Sequence, residues 1–403
     1  MYKMNINGRK YNISNDAEEF ARYNSDEALW KTANAMYEVM KNTQEATAAF
    51  YNKLSQEQDL TVSELLLTDA PSMVAMSLST GQIIISGDLL LDAADCIYER
   101  FTDDRLNNEH LCDMYSPEEC RIRITQYAAR FIVLHEQFHI WHRHFEWSSK
   151  YAFDQNGRLF EKNGHKTLFS EIINNDKGLE IESLNNLARA VRIQNNITDQ
   201  ALEMDADCSA AKALALIPGV ISEISGEQDQ GTFYYNEIPL IMAGIATVIY
   251  LMDKQRAGIT FKTFQRFLYS STHPIPATRL FYIESEFSAT VLEFVNDDTK
   301  KGIFDKCNRI VCDDSGLYAG QYDSWSIYYL VAYTKASYEH LIILRKRFNA
   351  MYNTLYKLSG GIKLSKFSTD DLVLDINAVW FDDDGNSVRG WINPATGTTS
   401  FEI

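Results

Sequence analysis

Long apolar runs are missing from this chain. The longest uncharged stretch, Ile238 to Met252, meets a proline at its second residue. It is also shorter than the ~20 apolar residues a membrane span requires, so it reads as a buried core helix and no span is expected. The first ten residues, Met1 to Lys10, hold no apolar h-region; a secretory signal is not expected, and the cytoplasm is the expected location. Paired cysteines are absent as well. Cys96, Cys112, Cys120, Cys208, Cys307 and Cys312 form no CxxC pair or regular framework, as befits reduced thiols. Positive charge is scarce, with 38 Lys and Arg against 55 Asp and Glu and a net charge of −17. That excludes nucleic acid and anionic membrane surfaces as partners, since both call for basic surface. Internal repeats and low-complexity linkers are lacking too. The 403 residues are 45% hydrophobic and 12% aromatic, enough for two or three domains around a substantial core.

Within this composition one motif carries chemistry. His135, Glu136 and His139 form HExxH in the run Phe131-Ile-Val-Leu-His-Glu-Gln-Phe-His-Ile-Trp141. On a helix, positions i and i+4 project from one face, so two imidazoles reach one ion while the glutamate sits beside the metal's water. With eight histidines in the chain, a chance HExxH is roughly a one-in-a-hundred event. The surroundings strengthen it. Between Ser116 and Trp147 there is no glycine and no proline after Pro117, and Ile122, Ile124, Tyr127, Ala128, Phe131, Ile132 and Leu134 predict a largely buried helix. Buried histidines must be hydrogen-bonded or ligated. His142 stands seven residues from His135, a separation of about 10 Å along a straight helix, too far for both to hold one ion. His142 and His144 therefore read as a polar helix end or as contacts behind the ligands. The glycine and third histidine that metzincins place after HExxH are missing.

A third ligand must come from elsewhere. Thr198 to Leu214 reads as a second helix, with Thr198 as its N-cap and acidic residues crowding its first turns. Asp199, Glu203 and Asp207 fall at i, i+4 and i+8; three like charges on one stripe call for a cation or for histidine N–H partners. Glu203 is assigned as the third ligand. Asp207, one turn on, is assigned to accept a hydrogen bond from the non-ligating nitrogen of a histidine ligand, with Asp207 itself as the alternative ligand. Asp205 points away by periodicity, and Cys208 is out of phase with Glu203. An acidic solvated helix face is the plain reading of the same stripe.

The pair HExxH and Glu203-Met-Asp-Ala-Asp-Cys-Ser-Ala210, an ExxADxxA pattern, resembles the gluzincin peptidases of the CAAX-prenyl-protease and heat-shock membrane-protease type. Ser271-Thr-His-Pro-Ile-Pro-Ala-Thr-Arg-Leu280 is similar to that family's THPxxxxR element. The resemblance implies that His273 and Arg279 lie near the substrate and the developing oxyanion. Ala75 to Leu90 is similar to the strand, turn and helix that precede the active-site helix there. In the zinc motifs alone the chain also resembles the phage-exclusion protease Lit group. It departs from the prenyl-protease relatives in lacking their membrane spans.

The expected fold is α+β, mainly α: a zincin-like core over 61–285 with an active-site helix and a small β-sheet, an N-terminal helical region over 1–60, and a C-terminal helical region over 286–403 that ends in a β-hairpin. Asp26 to Leu54 and Ser326 to Leu358 read as helices. Leu372 to Phe381 and Val388 to Ile392 read as strands around an Asp384-Gly385 turn, with a further turn near Pro394 and Gly397. The Asp382 to Gly385 run lacks the alternation of a calcium loop. Gly81 to Ser86 is expected to be an edge strand to which a substrate backbone adds.

The expected function is zinc-dependent peptide hydrolysis on a protein or peptide substrate. His135, His139 and Glu203 would hold Zn²⁺, Glu136 would be the general base, and His273 or Arg279 would stabilise the oxyanion. For the last two, a turn role for His273 and a pairing of Arg279 with Asp207 are the plain alternatives. The alternative function is a metal-stabilised interaction or regulatory module without catalysis. Glu136 separates the two, since a structural metal site has no use for a base.

Overall fold

The structure, a computed structural model, describes residues 2–6, 8–23, 27–54, 60–70, 75–108, 114–162, 181–225, 230–253, 264–291, 295, 299, 301–303, 306–307, 334–360, 379–381, 387–392 and 399–402. These residues are mainly helical, with small sheets. In chain order they form β1 (Tyr2–Ile6), β2 (Arg9–Ser14), α1 (Ala17–Tyr23), α2 (Glu27–Leu54), β3 (Glu64–Thr68), β4 (Ala75–Ser77), β5 (Gln82–Ser86), α3 (Gly87–Arg100), α4 (Asp103–Asn108), α5 (Pro117–Trp141) and α6 (His144–Lys150). Next come β6 (Tyr151–Phe153), β7 (Leu159–Glu161), α7 (Ile181–Ser225), α8 (Gln230–Asp253), α9 (Gln265–Leu268), α10 (Pro276–Val291), α11 (Lys335–Leu358), β8 (Val379–Phe381), β9 (Ser387–Ile392) and β10 (Thr399–Glu402). The chain divides into two compact units: Met1–Ile140 with Ala206–Ala257 and Arg279–Tyr329, and Trp141–Asp205 with Gly258–Thr278 and Leu330–Ile403. Helices α5 and α7 each contribute residues to both units.

The first unit opens not with helices but with a hairpin that joins a five-stranded sheet of order β1-β2-β3-β5-β4. Only β3 and β5 are parallel, with Leu66 opposite Ile84; the other pairs are antiparallel. Ile13, Leu66 and Ile84, all fully buried, form the apolar seam of the sheet. Tyr37 ties α2 to it, donating its hydroxyl to the carbonyls of Asn15 and Leu65. The expected edge strand proves to be interior. A turn at Thr80-Gly81, with Gly81 at φ +84°, folds β4 back onto Ile83 to Ile85, so the three-residue β4 is the edge. After β5, Ser86 caps α3 by accepting from the Leu89 amide.

Helix α5 starts at a capping box: the Ser116 hydroxyl accepts from the Glu119 amide while the Glu119 carboxylate accepts from the Ser116 amide, ahead of Pro117 at the first helical position. From Ile124 onward it is almost fully buried. Helix α8 packs tightly against it: a Cβ at Gly244 would sit 2.7 Å from the Ala128 amide nitrogen and 2.8 Å from the Ile124 carbonyl. Buried Glu237 on α8 accepts from Tyr115, Tyr127 and Arg123, so the carboxylate has no unpaired charge. Gly231–Leu251 is long and apolar enough to cross a membrane, and 89% of the window is buried inside the fold, the place of a core helix.

In the second unit, Trp147 of α6 is fully buried and donates its indole N–H to Thr354 of α11 at 2.7 Å. Arg347 of α11 donates to the Gln194 carbonyl and the Thr198 hydroxyl with its guanidinium over the Phe153 ring. Thr198 is therefore not an N-cap. The helix begins at Ile181, and the Thr198 hydroxyl back-bonds to the Gln194 carbonyl, the alternative use of a threonine inside a helix. Nor does one helix run from Ser116 to Trp147: it stops at Trp141 and restarts at His144. The C-terminal strands form a three-stranded antiparallel sheet, order β10-β9-β8, one strand more than a hairpin. The expected helix over 326–333, strand over 372–378, Asp384-Gly385 turn and turn near Pro394 and Gly397 lie outside the described residues, as do Cys112 and Cys312. Cys96 is partly buried, and Cys120, Cys208 and Cys307 are buried.

Candidate metal centre

The HExxH residues lie where α5 is most enclosed: His135, Glu136 and His139 are 4%, 5% and 8% exposed. Polar groups in such a place need partners. Gln137, between the histidines, accepts from the Gln44 amide of α2 at 2.8 Å and from the Ser63 backbone at 3.3 Å, which fixes the rotation of α5 against α2 and the entry to β3. Sequence reasoning passed over Gln137; an amide inside an apolar run was its only signal.

Asp207 of α7 lies behind His135. Its Oδ1 is 2.9 Å from His135 Nδ1, and Arg279 of α10 forks onto both carboxylate oxygens, Nε to Oδ2 at 2.7 Å and Nη2 to Oδ1 at 2.6 Å. Burial pushes the Asp207 carboxyl upward, but Arg279 and His135 prevail and hold it below the usual carboxylate range. An ionised carboxylate only accepts, so His135 turns a protonated Nδ1 to Asp207 and leaves its Nε2 for another partner.

That Nε2 faces the Nε2 of His139 at 3.2 Å. Two nitrogens bound to one tetrahedral zinc at ~2.0–2.1 Å are about 3.3 Å apart, so the imidazoles already stand at the separation of a shared ion. Glu203 lies one helical turn before Asp207 on the unbroken α7, on the same face. Among the described residues two groups have the donor make-up to hold a metal ion: His135, His139 and Glu203; and His142, His144 and Asp205.

The Glu203 turn of α7 also holds the segment before α10. Gln200 donates to the carbonyls of Leu268 and Ser271, and Asn196 to that of Tyr269. This places the 40% exposed His273 side chain with Nε2 3.5 Å from Glu203 Oε2 and Nδ1 3.0 Å from the Thr272 hydroxyl. Asp199, a turn before Glu203, has its carboxyl pushed up to about 6 by burial and by the charge of Glu203. The seven residues singled out from sequence thus fall on three helices and one loop. The structure gives Arg279 a place on Asp207, 4% exposed, with its fork turned to a carboxylate and not outward to a substrate. His142 and His144, at the end of α5 and the start of α6, are buried at 1% and 2%.

No family model, curated protein or solved structure matches this chain.

Proposed function

We propose that the protein is a zinc-dependent peptide hydrolase, with His135, His139 and Glu203 as metal ligands and Glu136 as general base. The observation that carries this reading is the 3.2 Å approach of two imidazole Nε2 atoms in a buried helix, backed by the Asp207–Arg279 pair that fixes the proton of one of them. With the proton of His139 on Nε2 the pair is an ordinary hydrogen bond; with it on Nδ1 the same two atoms form a face for one cation.

A bound zinc ion would supply Lewis acidity, bringing the pKa of a water toward ~7 and polarising the scissile carbonyl. The chain's own groups do the rest. Glu136, adjacent to His135 and one turn from His139, takes the proton of the attacking water on its carboxylate and returns it to the leaving amine. Asp207 holds the proton of His135 on Nδ1, and Arg279 keeps Asp207 charged; both are positioning residues. His273, the more exposed of the two expected oxyanion groups, has its Nε2 beside Glu203 and serves as the donor to the developing oxyanion.

The test is hydrolysis of a mixed peptide library by wild type and Glu136→Gln at equal metal content. The glutamine keeps shape and neighbours but cannot take a proton, so turnover falls about 10²- to 10⁴-fold with zinc retained. Equal cleavage by both, or none by a zinc-loaded wild type across a broad library, would leave a metal-stabilised interaction module as the better reading.

A further inference from the structure

Two further histidines are drawn inward at the turn between α5 and α6. They flank Arg143, whose φ of 59° lies in the left-handed region that a residue with a Cβ enters at a cost. That turn brings both imidazoles onto one carboxylate of α7. His142 Nδ1 is 2.5 Å and His144 Nε2 3.0 Å from the same oxygen, Oδ2 of the fully buried Asp205. The other oxygen, Asp205 Oδ1, is buried and accepts no hydrogen bond among the described residues. A carboxylate removed from water with one oxygen unused is a costly arrangement that calls for an occupant. One ligand atom from each of the three side chains lies within 4.8 Å of the others.

We propose that His142, His144 and Asp205 form a second metal site that takes a divalent ion of the zinc class. One nitrogen from each imidazole and an oxygen of Asp205 make three protein donors of the kinds zinc accepts. A site whose three residues are all at 2% exposure or less has no opening for substrate. Its role is therefore structural: it clips the α5–α6 turn to α7. The same clip stabilises Arg143 in its left-handed conformation. This site draws on none of the residues assigned to hydrolysis.

The test is zinc content per chain of the full-length protein after dialysis against metal-free buffer, in wild type, His144→Gln, His139→Ala and the double variant. The expected values are about two, one, one and none. Glutamine at 144 keeps a donor for Asp205. Should that variant fold poorly by circular dichroism, cobalt(II) titration of metal-free wild type gives the same answer, with saturation at two equivalents expected. Equal zinc in wild type and His144→Gln, or cobalt saturation at one equivalent that His139→Ala abolishes, overturns the proposal and leaves an ion-free hydrogen-bonded network. One zinc lost in His144→Gln but kept in His139→Ala upholds it and overturns the hydrolytic site.

Discussion

Asp207 and Arg279 show how much of the proposed site depends on residues that never meet a substrate. Arg279→Ala would strand a buried carboxylate, and breaking a buried ion pair costs about 3–5 kcal/mol; denaturant unfolding should show a loss of that order. Asp207→Asn removes the charge that holds the proton of His135 on Nδ1. Loss of such a partner weakens metal binding about 10- to 100-fold, readable by competition with a chromophoric chelator. His340 makes a separate prediction. Its ring packs edge-on against Tyr269 at 4.9 Å, and neither nitrogen has a hydrogen-bond partner among the described residues. Burial depresses its pKa from 6.5 to about 4. Between those values the unfolded chain binds the proton more readily than the folded one. This contribution to stability is therefore complete above pH 6.5 and lost as pH falls toward 4, about 3 kcal/mol in all. In His340→Leu, the acid limb of a stability–pH profile should flatten by that amount.

At the scale of elements, helix α5 was legible in the sequence because its signals are local. A serine–proline–acidic start, an apolar run without glycine and HExxH on one face all lie within 26 residues. Its end was not legible: His142-Arg143 breaks the helix through a left-handed residue, a conformation no pattern around an arginine announces. The start of α7 was misplaced for a related reason, since Thr198 looks like a cap until Arg347, 149 residues away, uses its hydroxyl. Strand β5 looked like an edge because β4 is only three residues long. Gly244 was passed over, yet it sets the approach of α8 to α5. Gly244→Ala drives a methyl into the backbone of α5, and overpacking of that kind costs about 1–3 kcal/mol. Thermal unfolding should register the loss, and a variant as stable as wild type would show that the two helices part freely.

For the whole molecule, the mainly helical class followed from composition and periodicity, whereas the partition into two discontinuous units did not. The N-terminal hairpin joins a strand about fifty residues on, and Arg279 reaches back 72 residues to Asp207; long-range pairings of this kind leave no local trace. The candidate ligands were readable because metal chemistry restricts residue type and spacing together. What holds them in place is spread across α2, α7 and α10, and only the folded chain brings it together. The central claim is that Glu203 completes a zinc site with His135 and His139, so the direct measurement is the zinc content of Glu203→Ala beside wild type. The account predicts that the variant, folded by circular dichroism, carries about one equivalent less; equal zinc in the two proteins would contradict it.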